Sequence, residues 1–186
     1  MDPKIVVIGA SLGGLHAVRA VLRQLPAAFP APVAIVQHRD TNSEDSLALY
    51  LQKYSAMKVA EAVDKLKITP GNVYVAPTGY HLLVDRGWFS LSTGAPVCAS
   101  RPSIDVLFES AADIYGKNAI GVLLTGANQD GASGIREIKK RGGMTIVQNP
   151  ETAECRVMPD SAIAACKVDH VLPLQSIGPF LAGLFK

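Results

Sequence analysis

A chain of 186 residues is long enough to bury the core of one domain. Hydrophobic residues make up 48% of it and charged residues 18%, a balance that is typical of a globular protein and excludes extensive disorder. The formal net charge of +2 is too small to favour nucleic-acid binding. No apolar stretch approaches the roughly 18 residues that a membrane-spanning helix needs, so we expect no membrane insertion.

The cysteines and the amino terminus indicate the compartment. The cysteines, Cys98, Cys155 and Cys166, are widely spaced and form no C-x-x-C motif, so they predict free thiols in a reducing compartment. The amino terminus carries only a short apolar run at 5–10, which is no signal peptide. We therefore expect a cytoplasmic protein.

The first pattern is a strand, a glycine turn and a helix. A β-branched run enters the sequence G-x-S-x-G from Gly9 to Gly13. This is the spacing of a nucleophile elbow, which exposes the hydroxyl of Ser11 at the end of a strand, beside the free N–H groups of a helix start. The same residues also fit a dinucleotide phosphate loop, or a structural turn in which Ser11 caps the helix. The helix after this turn is indicated by apolar positions at helical spacing, namely Leu15, Val18, Leu22 and Leu25.

A second strand and helix follow. Residues 33–37 form an apolar run that ends at His38, and Thr41 to Ser43 supply helix-capping side chains. Strand, helix, strand and helix in this order favour a parallel sheet covered on both faces. The predicted buried face of the second helix consists of Leu47, Tyr50, Leu51 and Tyr54.

Residues 57–92 have a different pattern. Four short β-like pieces are separated by turn sequences rich in proline and glycine, with no room for crossover helices. We therefore expect neighbouring pieces to pair antiparallel, as a small hairpin excursion from the main sheet.

The second half of the chain returns to alternating helices and strands. A helix is predicted from Ser103 to Gly116, and an apolar run at 119–124 predicts a central strand that leads to Asp130 and a further helix. The predicted fold is α/β, a doubly wound and mostly parallel sheet with helices on both faces and a small antiparallel β-hairpin. The apolar face of the first of these helices is Ile104, Leu107, Phe108, Ala111 and Ile114. The remaining predicted elements are a strand at 144–147 and helices at 158–165 and 174–185.

Three predicted strand ends carry the residue types of a catalytic triad. Functional groups of an open parallel sheet gather at the carboxyl ends of its strands, and these ends deliver Ser11, His38 and Asp130. A nucleophile, its general base and the carboxylate that orients the base have these residue types. Each residue also has a structural interpretation: Asp130, for example, is well placed to cap the helix that follows it.

Seven short motifs, in order along nearly the whole chain, match one family. They are Ile8-Gly-Ala-Ser-Leu-Gly-Gly14, Gln37-His38, Pro70-Gly-Asn-Val-Tyr-Val-Ala-Pro77 with His81, Arg101-Pro-Ser-Ile-Asp-Val-Leu-Phe108, Thr125-Gly126 with Asp130-Gly131 and Gly134, Gln148-Asn149, and Met158-Pro159. With these motifs the chain resembles the catalytic domain of the chemotaxis protein-glutamate methylesterases, the CheB type. By that resemblance residues 1–186 are expected to form this catalytic domain, without a receiver domain.

The resemblance implies a serine hydrolase that acts on γ-glutamyl methyl esters of methyl-accepting chemoreceptors or similar methylated proteins and releases methanol. Some family members also deamidate receptor glutamine. Ser11 falls on the family's nucleophile, His38 on its base and Asp130 on the carboxylate that orients the base. No cofactor is required, and the sequence shows no metal-ligand spacing. The family commonly carries a receiver domain, which is expected here on a separate chain or a missing segment.

The chain departs from the family pattern beside the expected oxyanion region. Leu12 stands where the family usually has threonine, and Ala127 and Asn128 stand where it has methionine and glycine. If backbone N–H groups bind the oxyanion, these changes spare catalysis and alter what fits the site. Arg101 is expected either to contact an acidic receptor surface or to form a structural ion pair.

The residues leave two other functions open. A non-catalytic member of the family would bind receptors or a partner through the same cleft, its turnover lost with the changes at Leu12, Ala127 and Asn128. A nicotinamide-dependent short-chain oxidoreductase would use the glycine turn as a phosphate loop. Tyr50 and Lys53 have the wrong spacing for the Tyr-x-x-x-Lys motif of that family.

Overall fold

The structure, a computed structural model, describes residues 4–39 and 46–185. The strands found in these residues are β1 (Ile5–Ala10), β2 (Val33–Gln37), β3 (Lys58–Glu61), β4 (Asn72–Val75), β5 (His81–Val84), β6 (Phe89–Ser92), β7 (Ala119–Leu123), β8 (Met144–Gln148) and β9 (His170–Leu172). The helices are α1 (Gly14–Leu22), α2 (Leu47–Gln52), α3 (Ile104–Tyr115), α4 (Ala132–Lys140), α5 (Val157–Ala165) and α6 (Leu174–Gly183). Seven strands form one parallel sheet in the order β3-β4-β2-β1-β7-β8-β9, and β5 and β6 form a separate antiparallel pair. This confirms the predicted fold class.

The central strand of the sheet is β1, whose residues are all buried. It pairs with β2 on one side, where Val6 lies opposite Val33, and with β7 on the other, where Val6 lies opposite Ile120. From β1 the chain first builds one half of the sheet and then returns to build the other. The strand order therefore reverses at the carboxyl end of β1, the place where open α/β sheets form their ligand crevices.

Two apolar layers cover the faces of the sheet. On one face, α1, α2 and α6 bury side chains such as Leu51 and Ile177 in a cluster with Ile8 of β1. On the other face, α3, α4, α5 and the β5–β6 hairpin bury side chains such as Phe108 in a cluster with Val7 of β1. Each large side chain buried in this way contributes roughly 1.5–3 kcal/mol to folding. Burial on both faces explains why β1 and β7 are continuous apolar runs instead of alternating ones.

The pairing predicted for residues 57–92 is half wrong. β5 and β6 form the expected hairpin, with His81 opposite Ser92. β3 and β4 instead join the main sheet and pair parallel, with Lys58 opposite Asn72. The crossover between them contains no helix, and it is held against the hairpin, where the Ile68 N–H donates to a carbonyl at 2.9 Å. The antiparallel prediction assumed that parallel strands need a crossover that contains a helix. A crossover supported by neighbouring backbone can be shorter.

The helices lie where the sequence predicts them, but some of their faces differ. Leu15 and Ile114, expected among the buried positions, are 40% and 38% exposed. In α1, Gly14 and Ala17 lie on the buried side, which leaves Leu15 at the surface. The second helix begins at Leu47, since Ser46 caps it. The capping residues expected at 41–43 lie outside the described residues.

Within the described residues, none of the helices combines the length and the apolar character needed to cross a membrane.

Candidate active site

Ser11 lies directly after β1, at the point where the strand order reverses. Its N–H donates to the Thr125 carbonyl at 3.0 Å, and its own carbonyl accepts from Gly14 at 2.8 Å, which closes the turn into α1. Gly13 has a φ of 74°, and a Cβ there would lie 2.6 Å from Glu154 atoms. A glycine is therefore required after Leu12, as the G-x-S-x-G pattern predicts.

His38 lies directly after β2, beside Ser11. Its N–H donates to the Ala10 carbonyl at 3.0 Å, which continues the β1–β2 pairing by one residue. The amide nitrogen of Gln37 donates to the carbonyls of both Ser11 and His38, at 2.8 and 2.9 Å. Gln37 thus fixes the backbone of the two residues relative to each other, a role that sequence patterns did not reveal.

Asp130 lies in the loop between β7 and α4 and is completely buried. Its carboxylate accepts hydrogen bonds from the Ser103 hydroxyl (2.8 Å) and from the N–H groups of Ile104 (2.7 Å) and Asp105 (3.0 Å). It therefore caps the start of α3, and not its own helix, whose N-cap is Gly131 without a side-chain bond. Asp130 therefore caps a helix, as one interpretation of the sequence predicted, but the helix is α3 and not α4.

His38 supplies one more hydrogen bond to this carboxylate, from Nε2 to an Asp130 oxygen at 2.8 Å. Burial by itself would raise the pKa of Asp130. The hydrogen bonds from His38, from the Asp105 and Ile104 backbone and from Ser103 outweigh burial and hold the pKa of Asp130 below its ordinary value. The carboxylate is thus ionised at neutral pH and fixes which nitrogen of His38 carries the proton.

The other ring nitrogen of His38, Nδ1, is left as the hydrogen-bond acceptor of the ring. The Ser100 hydroxyl lies 3.5 Å from it. Ser11 and His38 line the same cavity, of about 640 Å³. Within the described part of the chain, no hydrogen bond joins the Ser11 hydroxyl to His38, and such contacts are often long before substrate binds. An alcohol and a basic nitrogen that share a cavity can perform acyl transfer.

Backbone donors for an oxyanion lie beside Ser11. The Ser11 and Gly126 N–H groups are already bonded to carbonyls, whereas those of Leu12 and Ala127 have no partner among the described residues. The two segments are in contact, since a Cβ at Gly126 would lie 3.0 Å from the Ser11 Cβ. The Thr125 hydroxyl joins them further by donating to the Leu12 carbonyl at 2.9 Å. The segments that contain Leu12 and Ala127, both expected in the oxyanion region, are therefore adjacent.

Within the described residues, Arg101 does not form the structural ion pair that was one of its two expected roles. Its Nη1 donates to the carbonyls of Thr93 and Gly94, both at 3.0 Å, and its Nε is buried without a hydrogen-bond partner. No described carboxylate forms an ion pair with it, and it does not line the cavity beside Ser11. Arg101 therefore fastens the turn after β6 and is not brought to the site.

Asp105 and Asp130 cap each other's helices. Sequence patterns singled out Asp130 but not Asp105. Asp105, in the first turn of α3, accepts from the N–H groups of Gly131 (2.9 Å) and Gly134 (2.7 Å) at the start of α4. Asp130 caps α3 in return. Burial raises the pKa of Asp105 to about 6, against the bond from Gly134 and with support from the charge of Asp130. The pair locks the two helices together and holds Asp130 in place.

His81 supports this arrangement from behind. It is buried, its Nδ1 accepts from the Ser103 N–H at 3.2 Å, and its Nε2 donates to the Ala95 carbonyl at 3.0 Å. Both ring nitrogens are occupied, so His81 positions Ser103, which in turn donates to Asp130. The family motif contained His81 and Ser103, but only the fold connects them.

One cluster of metal-ligand residue types lies near the site, formed by Cys98, Asp105 and Asp130. Both Asp130 oxygens and one Asp105 oxygen already accept hydrogen bonds from N–H or O–H groups. A metal ion would have to displace those donors, so the geometry favours helix capping over metal binding at this cluster.

The family model for the CheB methylesterase matches residues 6–181. A Leptospira interrogans protein, named as a candidate protein-glutamate methylesterase/protein-glutamine glutaminase, is 48% identical over 178 residues, which cover 95% of this chain and 92% of that protein. The protein-glutamate methylesterase FrzG of Myxococcus xanthus is 44% identical over 95% of this chain and 53% of its own length. The crystal structure of the Thermotoga maritima CheB methylesterase catalytic domain matches with a TM-score of 0.94 and 37% identity, over 99% of this chain and 100% of that one. The chain is a member of the CheB methylesterase family.

Proposed function

We propose that this protein is a serine esterase that hydrolyses γ-glutamyl methyl esters of chemoreceptors or similar methylated proteins and releases methanol. The observation that carries the proposal is the cavity shared by Ser11 and His38, with His38 bonded to the buried Asp130 carboxylate. Its support from comparison is that relatives at 44–48% identity are named for this activity. Their names also motivate a second reaction at the same site, the deamidation of receptor glutamine.

In the acylation step, Nδ1 of His38 takes the proton of the Ser11 hydroxyl as Oγ attacks the ester carbonyl. Asp130 stays ionised and stabilises the imidazolium that forms. The carbonyl oxygen becomes negatively charged, and the N–H groups of Leu12 and Ala127 are the donors proposed to bind it. Nδ1 then returns the proton to the methoxide leaving group, which departs as methanol and leaves a glutamyl ester on Ser11.

In the deacylation step, a water molecule replaces the alcohol. His38 takes a proton from this water, whose oxygen attacks the glutamyl ester. Collapse of the second tetrahedral intermediate breaks the bond to Oγ, and His38 returns the proton to Ser11. The products are a free glutamate side chain and the original enzyme. For a glutamine substrate the same sequence releases ammonia.

We also propose a cytoplasmic location and regulation by a receiver domain, on a separate chain or an adjoining segment. The support for the receiver domain is that the chain matches only about half the length of several relatives, 53% of FrzG among them. It covers 92% of the Leptospira relative. Co-elution of this chain with a phosphorylated receiver domain would support such regulation. Methanol release that no receiver domain alters would contradict it.

The test is methanol release from a methylated chemoreceptor fragment by the wild-type chain and by Ser11→Ala and His38→Ala. We expect release by the wild type only, with melting temperatures of all three proteins close together. Release that survives both substitutions would refute the proposed nucleophile and base. Binding of the fragment by the wild type without any release would instead select a binding function.

A further inference from the structure

The cavity beside Ser11 is lined by a cationic side chain with three side-chain partners. The Arg19 guanidinium, on α1, donates to the Tyr50 hydroxyl at 3.3 Å and lies 3.2 Å from Nδ1 of His16. It also lies over the ring of Tyr54, 5.0 Å from the ring centre. Arg19, His16 and Tyr50 all line the cavity that contains Ser11 and His38. Stacking and hydrogen bonding thus restrict the motion of a guanidinium that lines the same cavity as Ser11.

Arg19 forms no ion pair with a described carboxylate, unlike Arg141 and Arg156. Arg141 and Arg156 form ion pairs with Asp113 and Asp160. No carboxylate among residues 4–39 and 46–185 forms an ion pair with Arg19. Its described hydrogen-bonding and stacking partners, Tyr50, His16 and Tyr54, carry no carboxylate that would compensate the positive charge. A fixed and uncompensated guanidinium in a cavity is suited to an incoming anion.

The surface around Arg19 is apolar and positively charged. Leu12 and Leu15 line the cavity and are 54% and 40% exposed. A second cavity adjoins it and adds Leu49, which is 71% exposed, and Lys53. Among the residues that the structure describes, the acidic residue that lines either cavity is Glu154, which lies against Gly13. Charge complementarity therefore favours an acidic polypeptide with some apolar side chains, extending from Ser11 towards Arg19.

We propose that Arg19 binds a carboxylate of the substrate polypeptide near the esterified glutamate, and so selects esters with acidic flanking sequence. The inference rests on the proposed function, since the occupant is the methylated segment itself. The substrate carboxylate accepts hydrogen bonds from the guanidinium, while Leu12, Leu15 and Leu49 contact neighbouring apolar side chains. Arg19 is thus a specificity residue and takes no part in bond breaking.

The test uses synthetic peptides with one γ-methyl glutamate and one variable acidic position. In each pair a single flanking residue, placed one to eight positions from the ester on either side, is Glu in one peptide and Gln in the other. The enzymes are the wild type, Arg19→Gln, and Arg23→Gln as a control that removes the same charge one turn further along the chain, at the C-cap of α1. Methanol release gives kcat/KM, and binding of each peptide to Ser11→Ala gives an affinity that does not depend on turnover.

We expect at least one position at which the wild type prefers Glu over Gln by roughly three- to tenfold in kcat/KM, the range for a partly exposed charge-assisted contact. Arg19→Gln should remove this preference, Arg23→Gln should retain it, and added salt should weaken it. Equal rates on all Glu and Gln pairs, or a preference that survives Arg19→Gln, would overturn the inference. A failure of the proposed function has a different signature, in which no peptide releases methanol. In that case equal binding of Glu and Gln peptides by Ser11→Ala would overturn the inference, and preferential binding of Glu peptides would support it.

Discussion

The two sides of the site differ in how completely their polar groups are bonded. Around Asp130, the carboxylate, the Ser103 hydroxyl, His81 and the starts of α3 and α4 form a buried network of hydrogen bonds. Around Ser11, the hydroxyl and two neighbouring N–H groups have no partner among the described residues, and a cavity lies in front of them. The rigid side fixes the charge that orients His38, and the unbonded side retains donors for a substrate.

On the rigid side, the largest effect on activity is expected for Asp130→Asn. The amide keeps the size of the carboxylate, but its NH2 group would face N–H donors and it carries no charge to hold the proton on Nε2 of His38. We expect kcat for methanol release to fall by about 10³- to 10⁴-fold, as in triads that lose this carboxylate. The melting temperature should also fall, because buried donors lose their acceptor. Activity within tenfold of the wild type would show that Asp130 does not orient the base.

A smaller effect is expected for Ser103→Ala, which removes one hydrogen bond to Asp130 and the N-cap side chain of α3, while Asp130 still accepts from the first N–H groups of the helix. We expect a loss of about 1–2 kcal/mol in the free energy of unfolding and a fall in kcat of roughly tenfold, or about 1.4 kcal/mol. The matched control is Ser133→Ala on α4, whose hydroxyl faces Glu109 and not Asp130. Equal effects of the two substitutions on kcat would mean that the bond to Asp130 has no special role.

The smallest effect on activity is expected for Asp105→Asn. This variant tests the rigid side through the pH dependence of the free energy of unfolding. The folded pKa of Asp105, about 6, lies above its ordinary value of 3.8, so the folded state holds this proton more tightly than the unfolded state. Stability from this group is therefore greatest below pH 4 and falls as pH rises to about 6. Asparagine keeps the acceptor for Gly131 and Gly134 without the buried charge.

Chemical denaturation of this variant between pH 4 and 8 checks the expectation. Asp105→Asn should flatten the decline between pH 4 and 6 and raise stability at pH 8 by on the order of 1 kcal/mol. Asp130 has a lowered pKa and acts in the opposite direction, since its contribution is lost only as pH falls below about 4. An unchanged slope between pH 4 and 6 would contradict the assignment of Asp105.

The sequence predicted the strands of the main sheet well because β1, β2 and β7 are short, continuous apolar runs that local patterns identify. It also placed Ser11, His38 and Asp130 at strand ends, since parallel strands bring their carboxyl ends together. It could not pair β3 with β4, because partner choice depended on how the crossover rests on the hairpin. Local composition contains no information about that support.

The connections between distant residues explain the other failures. Asp130 caps a helix that begins 26 positions earlier in the chain, and capping rules consider only neighbouring residues. The same holds for Asp105, which no local pattern marked as a partner of Gly131 and Gly134. Likewise, which nitrogen of His38 faces Asp130 depends on side-chain geometry. One of the two interpretations of Arg101 was a structural ion pair, yet its hydrogen-bond partners are backbone carbonyls that no sequence pattern predicts.

The most direct test of the central claim is covalent labelling with a fluorophosphonate, which mimics the ester and reacts with an activated serine. Mass spectrometry of the digested protein locates the label while methanol release is followed in parallel. We predict one phosphonyl group on Ser11, loss of methanol release in proportion to labelling, and no labelling of Ser11 in His38→Ala. Label at another residue, or full methanol release after Ser11 is labelled, would contradict the account.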